Sequence, residues 1–207
     1  MVSCNNNTGA YYAAALGLNK ARLLVAVQNT NSNQIVSYDL NGKFIGVVAD
    51  YSSIGAVPRG IAVLDSFKFL VPLNGLDRMD MIQLDGTTSI WTTNVQYTGT
   101  LYHVVKDTIG NIYSIETNTI EKFDSTGSRI PATGATPYVA TTLGSCTLST
   151  PRSLIINNSD QLVVVNNATG NITVYTVTGT GTSTTAVCVS STALGAGIGP
   201  TSMILLS

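Results

Sequence analysis

Four eight-residue segments align without a gap, and their repetition restricts the fold more than composition does. They are Ile35 to Gly42 (IVSYDLNG), Met79 to Gly86 (MDMIQLDG), Ile120 to Gly127 (IEKFDSTG) and Ile172 to Gly179 (ITVYTVTG). Each has an apolar residue seven positions before the glycine and an aromatic or aliphatic residue four before it. Each ends in a polar residue and Gly, the chemistry that supplies positive φ to a hairpin turn. The glycines lie 44, 41 and 52 residues apart. A repeat of that length is one supersecondary unit that buries its faces by stacking on its neighbours.

A second landmark recurs in every unit. Pro58 to Asp65 (PRGIAVLD), Pro151 to Asn158 (PRSLIINN) and Pro200 to Ser207 (PTSMILLS) superpose, and Thr100 to Asp107 (TLYHVVKD) fills the same slot without the proline. Between the landmarks run Leu23 to Val27, Phe69 to Val71, Ile112 to Ile115 and Leu162 to Val165. They are short, rich in β-branched and aromatic residues, and bounded by Gly, Asn and Asp, as strands are. Each unit reads as a strand after the proline, a turn, a second strand, a polar loop, a third strand ending at the glycine, and a fourth beyond it. Phe44 to Val48 and Ser89 to Thr92 are the clearest fourth strands. The expectation is an all-β chain, a β-propeller of four-stranded antiparallel blades with about four repeats visible. The division expected is an N-terminal tether at 1–20, then repeats at about 21–65, 66–107, 108–158 and 159–207. Tyr11 to Leu18 reads either as a short helix or as a displaced first strand.

Composition agrees. Hydrophobic residues make up 44% of the 207 and charged residues 10%, against roughly 25% charged in an ordinary soluble domain. Most strand residues would then lie between sheets, with neutral Thr, Ser, Asn and Gly in the loops. A net charge of −1 with no basic run offers no electrostatic footprint for nucleic acid. No run approaches the roughly 18 apolar residues of a membrane-spanning helix.

Pro58 to Asp65, Asp107 to Tyr113 (DTIGNIY) and Ile120 to Gly127 resemble NHL-type propeller repeats, and the related gluconolactonase and regucalcin-like blades. The resemblance covers the second and third units well, the first moderately and the fourth in its skeleton. It implies a fold and carries little chemistry. Such families close with five to eight blades, whereas four are countable here. Two readings stand: a closed ring in which Thr201 to Leu206 completes the unit beginning at Ala21, or part of a larger propeller, completed by a second copy or by further blades.

Met1 to Cys4 followed by Asn5-Asn6-Asn7-Thr8-Gly9 resembles the end of a bacterial lipoprotein signal, which implies lipid attachment at Cys4; the alternative is an ordinary terminus. Cys146 and Cys188, 42 residues apart, suit a disulfide across units in an oxidising compartment; the alternative is two buried thiols. Neither belongs to a CxxC pair, so zinc chemistry has no support.

The catalytic and ligand-binding candidates are few. His103, the single histidine, lies on a first strand with Asp107 close by in sequence, a pair suited to general-base chemistry; a structural histidine is the simpler reading. Asp65, Asp107 and Asn158 occupy matching slots and would either converge as ligand-binding groups or cap their own turns. Resemblance to gluconolactonases implies a divalent metal held by an early Glu, an Asn and an Asp. No Glu precedes Glu116, and Asn74 lacks the expected context, so no metal site is assigned; calcium is the only cofactor kept open. Gly179 to Gly181 and Gly195 to Gly199 are followed by no helix, so neither is a phosphate loop. Asn6, Asn157, Asn167 and Asn171 begin glycosylation triplets that Asn- and Thr-rich composition produces by chance. Trp91, Tyr97, Tyr102, Tyr113 and Tyr138 would form either an aromatic surface or blade packing.

The expectation is a non-enzymatic binding or scaffolding propeller of the bacterial envelope or extracellular space, presenting loops to a protein or glycan partner. The alternatives are a lactonase-like hydrolase or lyase with its active site at a channel mouth, and a subunit of an extracellular assembly. No nucleic-acid partner is expected, and a homo-oligomer that completes the propeller stands as the alternative to a ring closed within one chain.

Overall fold

The computed structural model describes residues 11–17, 22–29, 32–92, 100–130, 137–178 and 185–194. It contains four successive antiparallel sheets. The first is β1 (Tyr11–Gly17), β2 (Arg22–Asn29), β3 (Ser32–Asp39) and β4 (Phe44–Asp50); a single 3-10 turn, Ser52–Ile54, follows. The second holds β5 (Val57–Pro58), β6 (Ala62–Val63), β7 (Lys68–Asn74), β8 (Arg78–Gln83) and β9 (Thr88–Thr92). The third is β10 (Leu101–Lys106), β11 (Ile112–Glu116), β12 (Thr119–Phe123) and β13 (Arg129–Ile130). After a small hairpin, β14 (Thr142–Leu143) with β15 (Cys146–Thr147), comes the fourth: β16 (Pro151–Ile156), β17 (Gln161–Asn166), β18 (Asn171–Thr178) and β19 (Thr185–Ala193). Within each sheet strands pair in chain order; in the second, β5 and β6 share the first-strand position against β7. The chain divides into two compact units, Met1–Val95 and Gln96–Ser207. Among the described residues no helix is long and apolar enough to cross a membrane.

The repeated segments are the third strands, and the turn after them explains their chemistry. Asp39 Oδ1 accepts the backbone N–H groups of Asn41 and Lys43 at 2.9 and 2.8 Å, and Asp124 Oδ1 those of Thr126 and Ser128 at 2.8 and 3.0 Å. Three residues after each Asp the chain must enter the left-handed region, where Gly42 and Gly127 take φ of +80° and +91°. Glycine does this without a Cβ penalty. The same Asp-x-x-Gly-x geometry closes β10 to β11 at Asp107 and Gly110, while Asn157 and Asp160 build it between β16 and β17.

Three features depart from the sequence division. Hydrogen bonding puts the sheet breaks at 51–56, 93–100 and 131–150, one strand earlier than breaks at 65, 107 and 158, because each first strand pairs with the second strand that follows it. Residues 11–17, assigned to the tether, are β1 and pair with β2. The first strand of the second sheet is broken at residues 59–61, three residues that lie opposite only Val71 and Pro72 between the Pro58–Leu73 and Ala62–Leu70 pairs. Cys4, Gly179 and the 201–206 segment lie outside the described residues.

In each unit two sheets stack face to face. Leu24, Ala26 and Ile35 of the first sheet cluster with Phe69, Val71, Leu73 and Ile82 of the second. Ile115 and Ile120 of the third cluster with Leu154, Leu162, Val164 and Tyr175 of the fourth. Fully burying such a side chain contributes about 1.5–3 kcal/mol. A stacking rule follows from the third strands. The earlier sheet offers its first repeat column (Ile35 or Ile120), and the later sheet answers with its fourth (Ile82 or Tyr175). Side chains alternate along a strand, so the first and third columns share one face and the second and fourth share the other.

Candidate functional site

Strands β10 and β16 lie side by side in the second unit and carry the residues singled out in the sequence. The Tyr102 ring lies 4.1 Å from the Arg152 guanidinium carbon, a stacked cation–π pair in which both residues are half-buried. His103, next along β10, makes a backbone hydrogen bond with Leu154. Its Nδ1 is buried with no partner among the described residues. Burial pushes the imidazole pKa down to about 4, the Leu154 bond opposing. The ring is therefore neutral at neutral pH.

Asp107 is not poised beside this ring as a free carboxylate. Its Oδ1 accepts the backbone N–H groups of Ile109 and Asn111 at 3.1 and 2.7 Å. Its Oδ2 accepts the Asn111 carboxamide at 2.7 Å and the Tyr113 hydroxyl at 3.3 Å. Asp65 Oδ1 accepts the N–H groups of Phe67 and Lys68 at 2.8 and 2.9 Å. In the fourth sheet the capping residue is Asn157, whose Oδ1 accepts from Ser159 and Gln161, both at 2.9 Å; Asn158 is an exposed turn residue beside it. The shift of one lies in the alignment of the unit without the proline: β10 and β16 carry the same register irregularity after their first residue, and Leu101, not Thr100, matches Pro151. The two turns are tied by the Thr108 hydroxyl, which donates to the Asp160 carboxylate at 3.1 Å.

At the opposite ends of these strands, Thr117 and Thr150 have φ of +46° and +44°, a conformation β-branched residues seldom adopt. They are held there by local bonds. Thr117 Oγ1 accepts the Thr100 N–H at 3.1 Å, Thr150 Oγ1 accepts that of Ala168 at 2.9 Å, and Asn118 Oδ1 accepts that of Thr150 at 2.8 Å. Cys146 and Cys188 are joined by a disulfide that ties the β14–β15 hairpin to β19.

Sequence reasoning missed the buried charges. Glu121 accepts from the Arg129 guanidinium at 2.6 Å, with side chains 0% and 6% exposed. Lys122, also buried, has its ammonium 5.4 Å from the Tyr113 ring and 5.2 Å from that of Tyr138. Burial pulls the Lys122 pKa down, with Asp107 opposing. In the first unit Arg78 pairs with buried Asp80 at 2.9 Å, and burial raises both the Asp80 and the Tyr51 pKa. One signal was present: Asp80 and Glu121 fall in the same second column of the repeat. Among the described residues, no group of three His, Cys, Asp or Glu side chains is arranged to hold a metal.

No protein-family model and no curated protein matches the chain. Solved structures do. A catalytically inactive virginiamycin B lyase from Staphylococcus aureus, crystallised with quinupristin, aligns with a TM-score of 0.61 at 16% identity, over 82% of this chain and 53% of that one. A calcium-binding regucalcin from Agrobacterium tumefaciens aligns at 0.54 and 12% identity, over 75% and 52%. The nidogen/laminin complex aligns at 0.53 and 14%, over 81% and 75%. The chain spans about half the length of the lyase and the regucalcin. These are β-propellers, and the four-stranded sheets are propeller blades. The neighbours include both enzymes and binding proteins.

Proposed function

We propose that the chain is a non-enzymatic binding or scaffolding propeller of the bacterial envelope or extracellular space, presenting its loops and first-strand ends to a protein or glycan. The observation that carries this reading is the engagement of Asp107 by four donors of its own turn. The carboxylate that the sequence pairs with His103 is thereby a turn-building group, while the Tyr102–Arg152 pair remains partly open to solvent beside neutral polar turns. An aromatic face with a stacked guanidinium suits a sugar ring or a peptide carrying a carboxylate. The Cys146–Cys188 bridge suits an oxidising compartment. The nidogen/laminin neighbour is a propeller with a protein partner.

The test is a glycan array and an envelope-protein interaction screen with the purified chain. Tyr102→Ala and Arg152→Ala are expected to abolish whatever binding is found, with His103→Gln leaving it intact. A second reading, a lyase or hydrolase, draws on the neutral His103, whose buried Nδ1 has no partner among the described residues, and on the lyase neighbour. Turnover of quinupristin or a lactone that is lost in His103→Gln and kept in Arg152→Ala would replace binding with catalysis. Calcium titration belongs in the same assay, since regucalcin is a calcium-binding neighbour.

A further inference from the structure

An antiparallel sheet with one solvated face alternates apolar and polar residues, so that its outer face is polar. The fourth sheet does not. The face turned away from the third sheet carries Ile155, Val163, Ile172 and Val174, all half-buried, and Val187 and Val189, 52% and 53% exposed. The first sheet repeats the pattern on the face turned away from the second. Leu23, Tyr38 and Phe44 lie in one cross-strand row and Val25, Val36 and Val47 in the next, with Phe44 and Val47 53% and 50% exposed. The Tyr38 and Phe44 rings meet edge to face, 5.7 Å between centroids. The same faces also carry Gln161, Thr176, Ser190 and Thr192 on the fourth sheet and Gln34 with Asp50 on the first, and Val165 and Val36 within them are buried.

The two faces are matched by the stacking rule that builds each unit. In both observed junctions an earlier sheet offers the face of its first and third repeat columns to the second-and-fourth-column face of a later sheet. The open face of the fourth sheet holds Ile172 and Val174, its first and third columns. That of the first sheet holds Val36 and Tyr38, its second and fourth. One is the socket that the other fits.

We infer that the Ile172–Val174 face of the fourth sheet docks on the Val36–Tyr38 face of the first sheet of a second copy of this chain, with the reciprocal contact completing a head-to-tail dimer. The reciprocal contacts pair the first-and-third-column face of each copy's fourth sheet with the second-and-fourth-column face of the other copy's first sheet. Four strands about 4.8 Å apart and about six residues long, at about 3.3 Å per residue, make a face of about 400 Å². Two contacts then bury about 1,600 Å², the area of a stable interface. The inference deepens the binding reading by naming a first partner, and does not depend on the Tyr102–Arg152 surface.

The experiment is sedimentation equilibrium on the 207-residue chain at micromolar concentration, beside the single variants Val174→Lys and Tyr38→Glu and their equimolar mixture. The wild-type chain is expected at twice 21.6 kDa. Each variant is expected to weaken the dimer at least tenfold, because both contacts of a homodimer then carry buried charge. The mixture is expected to restore it, since one contact becomes Lys against Glu and the other stays wild type. If a variant loses its circular-dichroism melting transition, Val187→Lys, on an exposed edge-strand residue, replaces it. A monomeric wild-type chain overturns the inference and turns attention to ring closure within one chain or to further blades of a longer protein. A dimer indifferent to both substitutions, or a mixture that stays monomeric, overturns the head-to-tail pairing.

Discussion

The two units obey one stacking rule and differ in what they enclose. The first places the Arg78–Asp80 ion pair near its sheet junction, and the Arg78 side chain is 24% exposed. The second holds Glu121 and Arg129 almost without access to water, a lysine between two tyrosine rings, the only histidine, and a disulfide. The same sheet geometry thus accommodates very different amounts of buried charge. Buried pairs add little net stability while both partners are present and become costly when one is lost. The second unit is therefore the more brittle of the two, and it is also the one closed covalently.

The comparison breaks most sharply at the ion pairs. Arg129→Met strands the Glu121 carboxylate and is expected to destabilise the second unit by about 3–5 kcal/mol. Arg78→Met should cost the first unit about 1–2 kcal/mol, since water reaches that pair. Hydrogen exchange resolved by unit measures both, and equal losses would erase the distinction. Next is the disulfide. Replacing Cys146 and Cys188 by Ser opens a 42-residue separation and is expected to destabilise the second unit by about 2–4 kcal/mol, leaving exchange in residues 32–92 unchanged.

Acid sharpens the contrast further. The folded pKa of His103 lies below its unfolded value of 6.5, at about 4. The unfolded chain therefore takes up the proton first. The stability that His103 contributes is complete above pH 6.5 and is lost as pH falls from there toward 4, by at most about 3 kcal/mol. Denaturation of the second unit across that window, with His103→Gln flattening the slope, is the check; Trp91 fluorescence follows the first unit. The smallest effect is local. Asp160 takes φ of +54° where Gly42, Gly110 and Gly127 stand in the sister turns. Asp160→Gly relieves that conformation but gives up the Thr108 hydroxyl, for an expected gain of about 0.5 kcal/mol in thermal melting.

What the sequence disclosed was whatever recurs. The columns headed by Ile35, Met79, Ile120 and Ile172 mark the third strands because alternation and turn glycines are local chemistry. The second strands at Leu23, Phe69, Ile112 and Leu162 were legible for the same reason. Residues 11–17 were ambiguous because Tyr-Tyr followed by three alanines carries no decisive period. Asn158 was chosen over Asn157 because the unit without the proline was anchored on Thr100, one residue before Leu101, which is the true match of Pro151. Glu121 and Lys122 look like an ordinary solvated pair in a linear reading, and only a strand covered on both faces makes them internal. The fold was thus readable from repetition. The site was not, because the fate of Asp107 depends on which four donors converge on it.

Pairing in strict chain order has a consequence for how the protein is made. Among the described residues every ladder joins strands that are neighbours in sequence, apart from β5, which reaches β7 past β6, so each sheet is assembled from a contiguous stretch, the longest running from Pro151 to Ala193. Loop closure is then short at each step, which favours rapid ordering of β structure. On a ribosome, the first blade has all its strands once residue 50 has emerged, and each later blade meets a finished template. Synthesis itself can set the order of assembly, the amino-terminal junction forming while the disulfide-bearing end is still being translated.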